Sequence, residues 1–129
     1  MNDDYVKFIR YSEHLIEKSK TGILGFINNH SFIDNPTFLG MRWHLLNTFE
    51  KINIIDLHGN AKKGEVCPDG SPDKNVFDIQ QGVSINIFLK VCEKNNKPHA
   101  ELLHNDLWGR RDKKYEYLKN NNLDDIDLK

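Results

Sequence analysis

The strongest constraint on the fold is a long polar segment, residues 59–82, which lies between two apolar runs typical of β-strands. The segment has no helical period, and it carries Gly59, Gly64, Pro68, Gly70 and Pro72. Parallel neighbouring strands require a crossover connection, usually a helix. The run that follows, residues 83–91, is therefore predicted to lie antiparallel to its neighbours. Structureless loops beyond about 12–15 residues are usually functional or disordered, so this one is a candidate for function.

Local patterns predict the elements that precede this segment. Asp3 or Asp4 caps a first helix. Its apolar face consists of Tyr5, Phe8, Ile9, Leu15 and Ile16. The short apolar run at residues 23–27 is typical of a strand covered on both sides. Asn35 as N-cap and Pro36 at the first helical position begin a second helix. Its buried stripe consists of Phe38, Met41, Leu45, Leu46 and Phe49.

These elements predict a single α/β domain with a mixed sheet. A strand at residues 52–57 completes a β-α-β unit, whose two strands run parallel with a right-handed connection. Residues 83–91 are expected to join the same sheet in the antiparallel direction. Residues 95–98 predict a turn, residues 100–103 a short edge strand, and residues 110–118 a polar helix.

Composition narrows the class of protein without identifying it. The 129 residues are 38% hydrophobic and 29% charged, with a net charge of −1, which is typical of a soluble domain and neither supports nor excludes a nucleic-acid partner. No apolar run approaches the length of a membrane span, and no targeting segment begins the chain. Cys67 and Cys92 fit no metal or redox spacing. We therefore expect a cytoplasmic protein without a membrane partner.

Five short motifs, taken in order, carry a resemblance to a known family. They are YVKFIR at residues 5–10, GILGFINN at 22–29, GMR at 40–42, DLHGN at 56–60 and VFDIQQGV at 76–83. Together they resemble the adenine-specific DNA methylase region of Type ISP and related restriction-modification enzymes, over residues 4–118. The resemblance implies transfer of a methyl group from S-adenosylmethionine to the exocyclic amine of adenine. It also implies a doubly wound, Rossmann-like sheet whose last strands form an antiparallel pair. With that topology, and without a crossover helix, residues 83–91 are expected between the strands at residues 23–27 and 52–57.

The chain matches only part of that family's catalytic domain. The family holds its cofactor with an early Gly-containing turn and meets the amine with an Asn/Asp-Pro-Pro-Tyr/Phe motif, and neither is present here. Residues 1–129 therefore resemble a single partial domain, the carboxyl half of the methylase. We expect no catalytic residue in this chain and no activity or cofactor binding by the chain alone. The expected partners are DNA and the remainder of the methylase.

The resemblance also implies roles for individual residues. Phe77 corresponds to the aromatic residue that stacks on the extruded adenine, and the alternative is an anchoring Phe that fixes the loop to the core. Asn28, Asn29 and His30 correspond to the lining of the cofactor adenine pocket, since open α/β sheets bind ligands at the carboxyl ends of their strands. Without the resemblance they indicate a polar turn that caps the next helix.

Charged and metal-ligating side chains have simpler interpretations. Five cations are candidates for contacts with the DNA backbone, or else solvated surface: Lys62, Lys63, Lys74, Arg110 and Arg111. Asp56 and His58 follow a strand, where they could contact phosphate or orient the loop. His58, His104 and Cys67 match no zinc spacing, so we expect a structural role for His58 and no metal.

Two alternatives to the methylase remain open. One is a stand-alone α/β protein-interaction module without a nucleic-acid role. The other is a small enzyme of different chemistry, for which the sequence offers no nucleophile motif and no phosphate-binding Gly loop. A partial sheet leaves an unpaired edge, so we also expect a two-fold homodimer. Its interface is expected to pair the first strands or to bury Phe8, Ile9, Leu15 and Ile16.

Overall fold

The computed structural model describes residues 3–91 and 97–129. Its helices lie on both sides of a single sheet. The helices are α1 (Asp4–Ser19), α2 (Ser31–Asp34), α3 (Leu39–Thr48) and α4 (Arg111–Asn120), with 3-10 turns at Pro36–Phe38 and Leu123–Asp125. The strands are β1 (Gly22–Asn29), β2 (Lys51–His58), β3 (Val83–Lys90) and β4 (Glu101–Asp106). The turn predicted at residues 95–98 begins outside the described residues, and Cys92 also lies outside them.

The four strands form one mixed sheet in the order β1-β3-β2-β4. β3 lies between β1 and β2 and is antiparallel to both, which confirms the prediction made from the missing crossover helix together with the topology that the resemblance implies. β4 pairs in parallel with β2 and runs to Asp106, beyond the predicted end of the edge strand. The fold is therefore α/β with a mixed sheet.

Strand register brings polar residues together at one end of the sheet. Ser84, at the start of β3, lies opposite Asn28 on one side and Asp56 on the other. The carboxyl ends of β1 and β2 thus flank the point where the long loop returns to the sheet. Ligands of open α/β sheets bind at such ends.

One face of the sheet carries the main core. Its buried side chains come from α1, α2, α3 and the strands: Ile9, Phe32, Leu45, Phe49, Ile52 and Phe88. Asp3 begins α1 by accepting from the backbone N–H of Tyr5 and Val6, and Asn35 accepts from Thr37 N. The cap at Asp3 is confirmed. Asn35 caps the 3-10 turn at Pro36–Phe38, and the α-helix begins only at Leu39. Of the stripe predicted for the second helix, all but Phe38 pack on this core, and Phe38 is also buried.

The buried side of α1 differs from the predicted face. Val6, Ile9 and Ile16 pack on the core, whereas Phe8 is 60% exposed and Leu15 is also exposed. Ile9 is fully buried within the chain, so the prediction that it contributes to a dimer interface is wrong. Glu13 is also fully buried on α1, where its carboxylate contacts Arg10 and His44, and a hydrophobic pattern does not anticipate a buried carboxylate.

The opposite face of the sheet is only partly covered. A second cluster under α4 contains Ile55, Leu57, Val76, Val83 and Ile126. Beyond it, Ile23 on β1 is 70% exposed and Ile27 is also exposed, so within the described residues β1 is covered on one side and not on both as predicted. No helix among the described residues is long and apolar enough to cross a bilayer.

Candidate functional site

The end of β2 is a tight reversal that fixes the start of the long loop. Asp56 Oδ1 accepts from the backbone N–H of His58, and His58 and Gly59 both adopt positive φ, 51° and 83°. A Cβ on Gly59 would lie 2.4 Å from Asn75 Cα, so only glycine allows this approach. Within the DLHGN motif, Asp56 and Gly59 are therefore explained by the backbone conformation of this reversal.

Asn75 holds together the two ends of the loop formed by residues 59–82. Its Nδ2 donates to Gly59 O at 3.1 Å and to Gln81 O at 2.6 Å, and its Oδ1 accepts from Phe77 N at 2.8 Å. A single buried amide thus joins the first and last residues of the loop and begins the turn that carries Phe77. Sequence patterns do not indicate this role of Asn75, because an Asn in a polar segment is ordinary.

A histidine and a carboxylate connect the ends of β1 and β2. His30 Nε2 lies 2.6 Å from Asp56 Oδ1. Burial lowers the pKa of His30, but the hydrogen bond and charge of Asp56 outweigh burial and raise that pKa above 6.5. Burial raises the pKa of Asp56, but the bonds from His30 and His58 N outweigh it and hold that pKa below 3.8. The pair therefore favours the imidazolium and carboxylate forms.

His58 connects three further segments. Its Nε2 lies 2.7 Å from Asp106 on β4, its Nδ1 lies 3.3 Å from Glu65 in the loop, and its ring stacks on Trp108 with centroids 3.4 Å apart. Asp56, His58 and Asp106 place possible metal-ligand atoms within 4.8 Å of one another. Hydrogen bonds already account for these atoms, so the arrangement is explained as a structural junction. Neither Cys67 nor His104 belongs to this group of three.

A buried ion pair joins the loop to α4. Lys114 Nζ lies 2.7 Å from Asp73 Oδ1, and both side chains are fully buried. Asp73 also accepts from the backbone N–H of Gly59 and Gly109. Lys114 also donates to Leu57 O and Lys74 O. Sequence reasoning missed this pair, because a lysine in a polar helix usually lies in solvent.

Phe77 lies beside a cleft at the carboxyl end of β1. The preceding residue, Val76, is buried in the second cluster, whereas Phe77 is 43% exposed. Val76 therefore anchors this part of the loop, and Phe77 lines the cleft. The cleft has a volume of about 380 Å³ and is lined by Tyr5, Ile27, Asn28, Asn29, Lys62, Phe77, Ile79, Gln80, Gln81 and Val83.

Asn28, Asn29 and His30, which the resemblance assigns to the cofactor pocket, lie in different environments. Asn28 and Asn29 are buried and line the cleft, whereas the His30 side chain is bonded to Asp56. Asn28 Oδ1 accepts from Asn86 Nδ2 at 2.5 Å. Asn28 Nδ2 has no hydrogen-bond partner among the described residues, which leaves a buried donor beside the cleft.

The five candidate DNA-binding cations also differ in their contacts. Lys63 pairs with Asp34 and Arg110 with Asp112. Arg111 donates to the loop at Asn75 O, Phe77 O and Asp78 Oδ1. Lys62 and Lys74 are exposed and make no ion pair within the described part of the chain, and Lys62 also lines the cleft.

Comparison with known proteins finds structural relatives only. No protein-family model matches the sequence, and no curated protein matches it. The cryo-EM structure of a DrdV–DNA complex matches with a TM-score of 0.79 and 27% identity over 97% of this chain. The ATP-dependent Type ISP restriction-modification enzyme LlaBIII bound to DNA matches with a TM-score of 0.75 and 33% identity over 90%. A nuclease-deletion mutant of the Type ISP enzyme LlaGI with a DNA substrate mimic shares the fold, with a TM-score of 0.80 and 24% identity over 100%.

These relatives are much larger proteins. This chain spans 12% of the DrdV chain, 8% of the LlaBIII chain and 12% of the LlaGI chain. It is therefore similar to a segment of restriction-modification enzymes whose structures contain DNA.

Proposed function

We propose that this chain is the target-adenine side of a DNA adenine N6-methyltransferase of the restriction-modification type, and is inactive alone. The observation that carries the proposal is the partly exposed Phe77 ring in a cleft at the carboxyl end of β1. The similarity to a segment of enzymes solved with DNA supports the choice of nucleic acid as the partner. The assignment as the carboxyl half of a Rossmann-like methyltransferase fold belongs to the same proposal and agrees with the antiparallel β3.

The lining of the cleft suits an uncharged heteroaromatic ring. A base removed from the duplex loses its stacking, and aromatic or apolar side chains restore it. Phe77, Ile27 and Ile79 provide such faces. No carboxylate occurs among the described residues that line the cleft. Lys62 at the rim adds a positive charge.

S-adenosylmethionine supplies the methyl group when it is bound. The unpartnered Asn28 Nδ2 is a donor that fits an acceptor nitrogen of an adenine ring, so Asn28 and Asn29 would line the adenine end of that cofactor. Phe77 would hold the target base, and Lys62 would contact a nearby phosphate. The hydrogen-bonded pair of His30 and Asp56 holds together the ends of β1 and β2, which support the cofactor and the target base. The residues that act on the amine itself lie in a motif that this sequence does not contain.

The proposal is tested by titrating the ¹⁵N-labelled chain with adenosine and, separately, with cytidine. We expect adenosine to shift the amide signals of Asn28, Phe77 and Ile79, and cytidine to bind more weakly. Phe77→Ala should remove about 1–3 kcal/mol of base stacking. The matched control is Phe8→Ala, because Phe8 is also exposed but lies outside the cleft. Equal adenosine affinity in both variants would contradict a stacking role for Phe77.

An interaction with a second copy of the chain is a separate proposal. β1 is an edge strand, and Ile23 and Ile27 lie exposed on its uncovered side. Apolar edge strands invite pairing with another chain. Light scattering across a concentration series should detect a dimer, and Ile23→Lys should weaken it. A monomer at every concentration would contradict the proposal that a second copy of the chain covers β1.

A further inference from the structure

We propose that one face of α4 is a brace that positions Phe77, with Arg111 and Tyr115 as positioning residues for base binding. The inference rests on the proposed function, because it concerns the same cleft. It adds Arg111 and Tyr115, which do not line the cleft, to the residues that determine how tightly the cleft binds a base.

The brace consists of hydrogen bonds from α4 to four consecutive backbone carbonyls of the loop. Lys114 Nζ donates to Lys74 O at 2.8 Å, and Arg111 Nε donates to Asn75 O at 2.7 Å. Tyr115 Oη donates to Val76 O at 2.5 Å, and Arg111 Nη2 donates to Phe77 O at 2.9 Å. Residues 111, 114 and 115 share one helix face, because positions three and four apart are neighbours on an α-helix.

This arrangement replaces the hydrogen bonds that a strand would make. Residues 74–77 have no strand partner, so their carbonyls would otherwise be bonded to water. The side chains of α4 fix this backbone on both sides of the peptide bond between Val76 and Phe77. Arg111 Nη2 also donates to Asp78 Oδ1 at 2.8 Å, which holds the residue after Phe77. The Phe77 backbone is therefore ordered before a base arrives, and ordering in advance lowers the entropic cost of binding.

Arg111 and Tyr115 differ from Lys114 in their exposure. The Arg111 side chain is 42% exposed and Tyr115 is 49% exposed, whereas Lys114 is fully buried. Within the described residues, their polar side-chain groups bond only to the loop, and neither residue belongs to a buried core cluster. Substitutions there should leave the sheet intact, so their effect on the loop is separable from folding.

The test compares Arg111→Ala and Tyr115→Phe with the control Arg110→Ala. Arg110 precedes α4 and pairs only with Asp112 among the described residues, so the control removes the same charge without touching the loop. We expect adenosine affinity to fall about tenfold in Arg111→Ala and less in Tyr115→Phe, since a charged hydrogen bond contributes more than a neutral one. The amides of residues 76–78 should exchange faster with solvent. Arg111→Lys should recover part of the affinity.

A purely structural role predicts a different result. It would lower the melting temperature and speed amide exchange across β2 and β3, with no selective change at residues 76–78. The inference is overturned if Arg111→Ala and Arg110→Ala bind adenosine equally, or if exchange changes in the loop without a change in affinity. If the unaltered chain does not bind adenosine at all, it is the proposed function that fails.

Discussion

Lys114 lies 2.7 Å from Asp73, and neither side chain is exposed to solvent. Forty-one positions separate them in the sequence, and the pair joins α4 to the loop beside the end of β2. Lys114→Met leaves Asp73 charged and buried with only its two backbone donors. Removal of one partner of a buried pair costs about 3–5 kcal/mol, and we expect a loss of that size in urea denaturation. Lys113→Met is the matched control, because Lys113 is exposed, and it should leave the midpoint unchanged.

Gly59 and Gly70 provide a matched pair for the loop backbone. Both have φ of +83°, but a Cβ on Gly70 would meet open space, whereas one on Gly59 would meet the Asn75 backbone. Gly70→Ala should cost about 1–2 kcal/mol from the left-handed conformation alone. Gly59→Ala should cost about 3–5 kcal/mol, because the clash adds to that strain. Equal costs in chemical denaturation would mean that the loop does not close on Asn75.

The pair of His30 and Asp56 should make stability depend on pH. The pKa of His30 is raised in the folded chain, so its contribution is complete below the unfolded pKa and is lost as pH rises through the folded value. The pKa of Asp56 is lowered, so its contribution is present above the unfolded pKa and is lost as pH falls through the folded value. The stability difference between the unaltered chain and His30→Gln should therefore be largest between about pH 4 and 6.5.

Denaturation at a series of pH values from acid to alkaline checks this window. The control is His14→Gln, because His14 is exposed on α1 and forms no ion pair in the described residues. A stability difference for His30→Gln that stays constant across the series would exclude an ionised pair.

Lys62 and Lys63 should differ in their contribution to DNA binding. Lys62 lines the cleft without an ion-pair partner in the described chain, whereas Lys63 is paired with Asp34. Each phosphate neutralised contributes about 0.9 to the slope of log K against log salt concentration. Lys62→Ala should reduce that slope by about this amount, and Lys63→Ala by less. Fluorescence anisotropy with duplex DNA at several salt concentrations measures both, and equal slopes in the two variants would place the DNA elsewhere.

Sequence and tertiary structure determined different parts of this protein. The antiparallel direction of β3 followed from the sequence, because residues 59–82 contain no crossover helix and parallel neighbours need one. The caps at Asp3 and Asn35 also followed, because capping depends on residues two or three positions apart. Local patterns of this kind are complete within the sequence.

The support of the candidate site was decided only by the tertiary structure. Lys114 and Arg111 look like solvated helix surface in the sequence, and their partners lie 33 to 57 positions away. The sequence predicts that Tyr115 docks on the fold, but it does not indicate where. The burial of Glu13 and the exposure of Ile23 were hidden for the same reason. Periodicity indicates which side chains are apolar, but only packing decides which polar groups meet and which apolar face is left uncovered.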